Sequence, residues 1–179
     1  NENPPMTYSQ MMRLRLSGAA AHECTDRFFI AAIGEEAVSR IWYGWGKHPD
    51  AIGNFGNFRT EEQWRGRGIG GQVLSALFQD RMKRKDLPLA LFCTAGTREI
   101  IKLYARHGFR LAVRNRETGP LFCPLGDSPA SFREFCGNYY APPGKLAVRP
   151  ASIGWRHEID CLLNFCLTDL GIPFGLPGV

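Results

Sequence analysis

The sequence predicts an α/β (α+β) domain, in which strands and helices alternate along the chain. Three observations carry that prediction. A strand-like stretch, Ala51 to Thr60, runs into a glycine-rich turn and then directly into an apolar-periodic helix. A second strand and helix follow, Leu87 to Thr94 and then Thr97 to about His107. Short apolar runs broken by turn residues flank both pairs and read as hairpins.

Taken in order, Asn1 to Pro5 reads as a loose lead. Thr7-Tyr8-Ser9-Gln10 has capping-box spacing, and Met11, Met12 and Leu14 follow, so a helix runs to about Ala20. Arg27 to Ala32 is a strand, and Gly34-Glu35-Glu36 turns it into its hairpin partner, Ala37 to Trp45. Lys47-His48-Pro49-Asp50 is the next turn. The strand Ala51 to Thr60 contains Gly53 and Gly56, and interior glycine marks a bulge or the close approach of another backbone. Val73, Leu74, Leu77, Phe78 and Met82 recur at helical spacing, which predicts a helix from Ile69 to about Lys85. The helix after Leu87 to Thr94 places Ile100, Leu103, Tyr104 and His107 on one face, and Gly108 stops it. Arg110 to Arg114 and Leu121 to Leu125 form a last hairpin around Glu117-Thr118-Gly119-Pro120.

Past Gly126 the composition changes. Ser128-Pro129 opens a short helix through Phe132, Phe135 and Cys136, and Leu146 to Val148 reads as a short strand. Trp155, Ile159, Leu162, Leu163, Cys166, Leu167 and Leu170 then form a helical stripe, ended by Gly171 and Pro173. The division expected is a core at residues 1–126 and a helix–strand–helix extension at 127–179. The stripe needs a partner surface, either the core's own sheet or a second copy in a homodimer.

The turn Arg65-Gly66-Arg67-Gly68-Ile69-Gly70-Gly71 is the chemically informative stretch. It exposes backbone N–H groups at a helix N-terminus, where the helix dipole also favours an anion. Glycines admit close approach, and two arginines add positive charge, so the residues describe a phosphate cradle. No Gly-Lys-Ser/Thr follows, and Gly66-x-Gly68-x-Gly70 has the wrong spacing for a dinucleotide fingerprint. Arg65-x-x-Gly68-x-Gly70 resembles the acyl-CoA signature of the GNAT acetyltransferases, (Gln/Arg)-x-x-Gly-x-(Gly/Ala). Thr97 to Phe109 is similar to the family's Asn-x-x-Ala-x-x-Leu-Tyr-x-x-x-Gly-Phe segment, with Thr97 where Asn is usual and Ile100 where Ala is usual. The likeness covers roughly Asp26 to Leu125.

That resemblance implies the GNAT fold: a central mixed, mostly antiparallel sheet with one splayed parallel strand pair, and helices on both faces. The family begins with a strand and two helices, whereas one helix is read here, so the first strand is shortened, absent or outside this chain. The resemblance also implies acetyl transfer from acetyl-CoA to a primary amine by direct attack in a ternary complex. Arg65, Gly66, Arg67, Gly68, Ile69, Gly70 and Gly71 then hold the pyrophosphate. Free N–H groups around Asn57, Phe58 and Arg59 polarise the thioester carbonyl, and Thr97 opens the second cofactor helix. Tyr104 matches the tyrosine that protonates the departing thiolate, which a phenol of pKa ~10 suits. Read without the family, Tyr104 is a core aromatic. Histone-acetylating members carry a basic carboxylate on the preceding strand, and Ile52 stands at that position. Glu61, Glu62 and His48 are the nearby candidates for a base, each also an ordinary surface residue.

Composition narrows the alternatives. The chain has 179 residues and a formal net charge of +5, which suits an anionic cofactor, an acidic substrate or nucleic acid. The densest basic cluster, Arg81 to Lys85, lacks the interleaved aromatics of a nucleic-acid face and reads as a solvated helix end. No apolar run reaches the ~18 residues of a membrane span. Six cysteines without a Cys-x-x-Cys pair read as thiols of a reducing compartment, so the expectation is cytoplasmic. His157 and Cys161 stand one helical turn apart, but two further ligands at metal spacing are missing, so no metal is expected. The competing reading keeps the fold and drops the chemistry: a non-catalytic acyl-CoA sensor or assembly module.

Overall fold

The structure, a computed structural model, describes residues 7–112, 117–140 and 150–163. Its centre is a six-stranded sheet in the order β1-β2-β3-β4-β6-β5. The first helix, α1 (Tyr8–Leu16), starts on the Thr7 capping box that the sequence predicts. It ends before Gly18, whose left-handed φ of 78° breaks the helix earlier than Ala20. β1 (Cys24–Ile33), β2 (Glu36–Gly46) and β3 (Gly53–Thr60) form an antiparallel meander. A crossover through α2 (Ile69–Lys83) brings β4 (Ala90–Ala95) parallel to β3. After α3 (Arg98–Ala105), the hairpin of β5 (Arg110–Leu111) and β6 (Gly119–Pro124) closes the sheet, with β6 antiparallel to β4. Then come α4 (Phe132–Tyr139) and α5 (Arg156–Cys161). This is the mixed sheet, flanked by helices, that the sequence predicts.

Each face of the sheet has its own core. On one, α2 buries Val73, Leu74, Leu77 and Phe78, and α3 buries Tyr104, against Tyr43, Phe55 and Leu91. Full burial of such a side chain contributes about 1.5–3 kcal/mol, so this stripe alone fixes α2 to the sheet. Met82, the last member of the predicted stripe, is 82% exposed. Arg81 takes the inward place instead: its guanidinium lies 4.8 Å over the Phe78 ring and donates to Cys123 Sγ at 3.4 Å. At the outer edge, Asp80 accepts from Arg27 (2.9 Å) and from the Tyr43 hydroxyl (2.5 Å), tying α2 to β1 and β2.

The other face carries α1, α4 and α5. Met11 and Met12 pack on Trp42, while Phe132, Phe135 and Cys161 cover Ile52, Phe92 and Phe122. Here the sequence misplaces two details. The short helix starts at Phe132, three residues after Pro129, because Ser131 supplies the N-cap by accepting from the Glu134 N–H. On α5 the buried side chains are His157, Glu158 and Cys161, while Ile159 of the apolar stripe is 37% exposed. The inward face was chosen by polar partners: Glu158 Oε1 accepts from the Ile52 N–H at 2.9 Å, and the His157 ring lies 5.9 Å from Trp42. The predicted strand Leu146 to Val148 and the helix beyond 163 lie outside the described residues, as does 113–116 of the last hairpin.

Candidate functional site

β3 and β4 are hydrogen-bonded as a parallel pair only at Gly53↔Leu91 and Asn54↔Phe92. Gly53 has to be glycine: a Cβ there would stand 2.7 Å from Leu91 Cδ2 and 2.9 Å from the Gly44 carbonyl oxygen. From Phe55 on β3 and Cys93 on β4 the two strands are no longer paired. β4 keeps its full ladder to β6 through Ala95, so β3 is the strand that leaves. A bulge marks the departure. Between the pairs Trp42↔Gly56 and Arg40↔Arg59, the single residue Ile41 of β2 faces two residues of β3, Asn57 and Phe58. Asn57 has a left-handed φ of 53°, unusual for a residue other than glycine. The bulge and the wedge leave backbone groups of β3 without a ladder partner on the β4 side. Of Asn57, Phe58 and Arg59, read from the sequence as the carbonyl-polarising stretch, the first two are thus the bulge itself, and Arg59 resumes the ladder to β2 opposite Arg40.

β3 ends in a tight helical turn, Glu62–Trp64, and then the glycines. Gly66 (φ 75°) and Gly68 (φ 76°) are both left-handed, and Gly68 is the N-cap of α2. Open space lies where their Cβ atoms would be, and the same holds at Gly71. Gly70 differs. Its Cβ would stand 2.9 Å from Thr60 Oγ1 and 3.1 Å from Phe58 Cζ, so its glycine serves the packing of α2 on β3. Arg65 and Arg67 also work within the turn: Arg65 Nε donates to the Thr60 carbonyl at 3.0 Å, and the Arg67 guanidinium lies 4.8 Å over the Trp64 ring. Ile69 opens α2. The turn therefore presents a helix N-terminus without a side-chain cap, flanked by open space and two cations. A pyrophosphate fits such a place, and the cleft of about 530 Å³ between α2 and α3 continues from it. Gly68, Gly71, Gln72, Ser75, Arg106 and His107 are among its walls.

Tyr104 stands at the other side of the wedge. Its ring meets Phe55 edge-on at 4.9 Å and lies 6.2 Å from Phe58 and 5.8 Å from Phe109. It is 4% exposed. Burial, reinforced by the neighbouring Cys93 thiol, pushes its phenol well above the ordinary value. Phe55 and Cys93 are the first unpaired residues of the two strands, so Tyr104 borders the mouth of the gap. Thr97 caps α3 by accepting from the Ile100 N–H at 3.4 Å.

The candidate bases are not gathered at this point. Glu61 is engaged by Arg59 at 3.2 Å and stands 3.9 Å from Arg40, and Glu62 is exposed on the turn. Among the described residues neither shares a hydrogen bond or ion pair with Tyr104. His48 lies at the opposite end of β3, stacked on Trp155 at 4.0 Å with Nε2 3.2 Å from Glu158. Ile52 is buried, and β3 (Gly53–Thr60) carries no carboxylate. Among the described residues no group of three His, Cys, Asp or Glu side chains is placed to hold a metal ion.

Sequence reasoning missed three contributors. Tyr8 of α1 faces the Asn57 side chain; it is 54% exposed, and its partial burial raises its phenol while Asn57 and Arg15 partly offset this. Arg106 and His107 line the cleft. His107 stacks on Phe78 at 3.9 Å, and burial with Arg81 and Arg106 lowers its imidazole, keeping it neutral. No sequence signal places Tyr8, which is 49 residues from Asn57. The position of His107 on the Tyr104-bearing helix face was the available pointer to the cleft.

Comparison with known proteins bears on this geometry. Residues 24–111 match a family model described as an acetyltransferase (GNAT) domain. No curated protein matches. Among solved structures, a protein of Pyrococcus horikoshii OT3 is 19% identical (TM-score 0.43), covering 55% of this chain and 65% of its own. A putative GNAT-family acetyltransferase of Desulfovibrio desulfuricans is 16% identical (TM-score 0.46), with 69% and 84% covered. A GNAT-family acetyltransferase of Elizabethkingia anophelis with acetyl-CoA bound is 15% identical (TM-score 0.43), with 70% and 94% covered. The chain thus spans just under two thirds of the Pyrococcus protein. The match over residues 24–111, which hold the wedge, the glycine turn and α3, identifies that part of the chain as a GNAT acetyltransferase domain.

Proposed function

We propose that the protein is an N-acetyltransferase that moves an acetyl group from acetyl-CoA to a primary amine by direct attack in a ternary complex. The observation that carries the reading is the wedge: two parallel strands that part after two paired positions, with a bulge on one and a glycine-turned helix N-terminus beyond it. Acetyl-CoA supplies the activated thioester. This chain's residues have four tasks. The N–H groups from Arg65 to Gly71, with the two arginines, hold the pyrophosphate. The unpaired strand backbone at Asn57, Phe58 and Arg59 donates to the carbonyl oxygen as negative charge develops. Thr97 fixes the start of α3. Tyr104, whose raised pKa keeps it protonated across the physiological range, gives its proton to the leaving thiolate. Glu61 and Glu62 are the base candidates at the end of β3, and a water relay performs that task if neither does.

One observation favours a second reading, an acyl-CoA-binding module without turnover. Tyr104 is packed among Phe55, Phe58 and Phe109 as a core aromatic would be. Two measurements separate the readings. Calorimetric titration with acetyl-CoA should show binding under both. Initial rates over a panel of small-molecule and peptide amines should give intersecting double-reciprocal lines for the enzyme. Binding with no amine acetylated would leave the module, and no binding would reject both.

A further inference from the structure

A second cavity, about 660 Å³, opens on the α1–α4–α5 face, where α4 and α5 meet the turn leading into β3. It lies on the opposite face of the sheet from the α2–α3 cleft and shares no lining residue with it. Its size suits a small organic ligand. Four of its lining residues are aromatic: Phe135, Tyr139, Tyr140 and Trp155. Two are acidic, Asp50 and Glu158, and no lysine or arginine lines it among the described residues. That is a local reversal of sign in a chain of formal net charge +5.

Glu158 is held in place from several sides. It is 5% exposed, and its Oε1 accepts from the Ile52 N–H at 2.9 Å with His48 Nε2 at 3.2 Å. Its Oε2 is buried and has no hydrogen-bond partner among the described residues. Burial raises its carboxyl above the ordinary range, despite the Ile52 N–H and His48. A buried carboxylate oxygen without a donor is costly, and a cation brought beside it offsets that cost. The tyrosine hydroxyls are already engaged: Tyr139 donates to the Asp50 carbonyl at 2.6 Å and Tyr140 to the Glu158 carbonyl at 2.8 Å. His48 stacks on one face of Trp155 and Phe135 on one face of Tyr139, so the lining offers a ligand the remaining ring surface, which attracts cations and covers methylene groups.

We propose that this cavity binds the ammonium group of an alkylamine, with Glu158 as counter-ion and the aromatic side chains around its hydrocarbon part. The chemistry matches the amine class of the proposed acceptor, but the proposal does not rest on acetyl transfer, because binding here needs neither acetyl-CoA nor turnover.

The test is calorimetric titration of the full chain with n-butylammonium chloride, and with n-butanol as the neutral isostere, at fixed ionic strength. The ammonium should bind, and the alcohol should bind at least ~10-fold more weakly. Glu158→Gln keeps an acceptor for Ile52 and removes the charge, so it should weaken ammonium binding by ~10-fold or more. Ile159→Lys provides a variant that does not disturb the buried pair, since Ile159 lines the cavity and is exposed. Its added cation at the cavity should produce a comparable loss, while Gly71→Glu, on the other face, should leave ammonium binding unchanged. Equal affinity for alcohol and ammonium, no ammonium binding up to about 50 mM, or unchanged binding by a folded Ile159→Lys variant would each overturn the proposal.

Discussion

At the scale of single residues, the glycines of the turn have separate reasons, and those reasons give separable tests. Gly70 is small because Thr60 and Phe58 stand behind it, and Gly66 and Gly68 are needed for their left-handed backbone. A substitution at any of the three disturbs folding as well as binding. Gly71 has a helical backbone and open space at its Cβ, in the first turn of α2. Gly71→Glu should therefore raise the melting temperature by about 2–4 °C, through helix propensity and the dipole. The same carboxylate would stand in the proposed phosphate site, so calorimetry should find acetyl-CoA affinity lower by at least ~10-fold. Stability and binding moving in opposite directions is the expected signature; unchanged affinity would place the phosphates elsewhere. Tyr104→Phe keeps the ring that packs on Phe55 and removes the hydroxyl. Steady-state kinetics should show kcat lower by ~100-fold or more, with melting temperature and acetyl-CoA affinity nearly constant. A rate equal to the parent's would make Tyr104 a packing residue. Tyr104 was singled out in the sequence through the family resemblance, and Gly71 as the last glycine of the turn. The difference between Gly70 and Gly71 was not, because it depends on Thr60, ten residues earlier, folding back beneath the helix.

At the scale of elements, α2 and α3 were readable because their partners are apolar and their spacing is regular. α5 was not, because its inward residues are polar. His157 is buried with neither ring nitrogen hydrogen-bonded among the described residues. Burial, then Arg15 and Arg156, holds its imidazole well below the ordinary value. The fold thus keeps the ring neutral, while the unfolded chain takes up a proton near pH 6.5. Below about pH 6.5 the unfolded state binds more protons, so stability falls as the pH drops towards the lowered folded value. His157→Leu removes two unpaired polar atoms and this titration. Thermal melts should show a variant more stable at neutral pH by about 1 kcal/mol, with a flatter slope between about pH 6.5 and 5. His107, also held neutral, keeps part of the slope in the variant. A destabilised variant with the parent's pH slope would contradict the account of α5. The wedge between β3 and β4 was legible only through family likeness. Two interior glycines were compatible with it without establishing it: Gly53 alone serves the close approach, and the bulge falls at Asn57, which carries no marked sequence signal.

At the scale of the whole molecule, one face of the sheet carries the glycine turn, the cleft and Tyr104, and the other carries the C-terminal helices and the acidic, aromatic cavity. The order of elements made the first face predictable from local patterns. The second face is assembled by contacts such as Glu158 with Ile52, 106 residues apart. Periodicity does not report pairings at that separation. The proposed function requires the wedge to hold acetyl-CoA for attack by an amine. The most direct measurement is amine-dependent release of the CoA thiol from acetyl-CoA, followed with a thiol reagent for the parent chain and for Gly71→Glu. At acetyl-CoA concentrations that are limiting for the parent, release should exceed the buffer rate and rise with amine concentration in the parent, and should fall at least ~10-fold in the variant. Release at the buffer rate with every amine, or equal release by a folded Gly71→Glu variant, would contradict it.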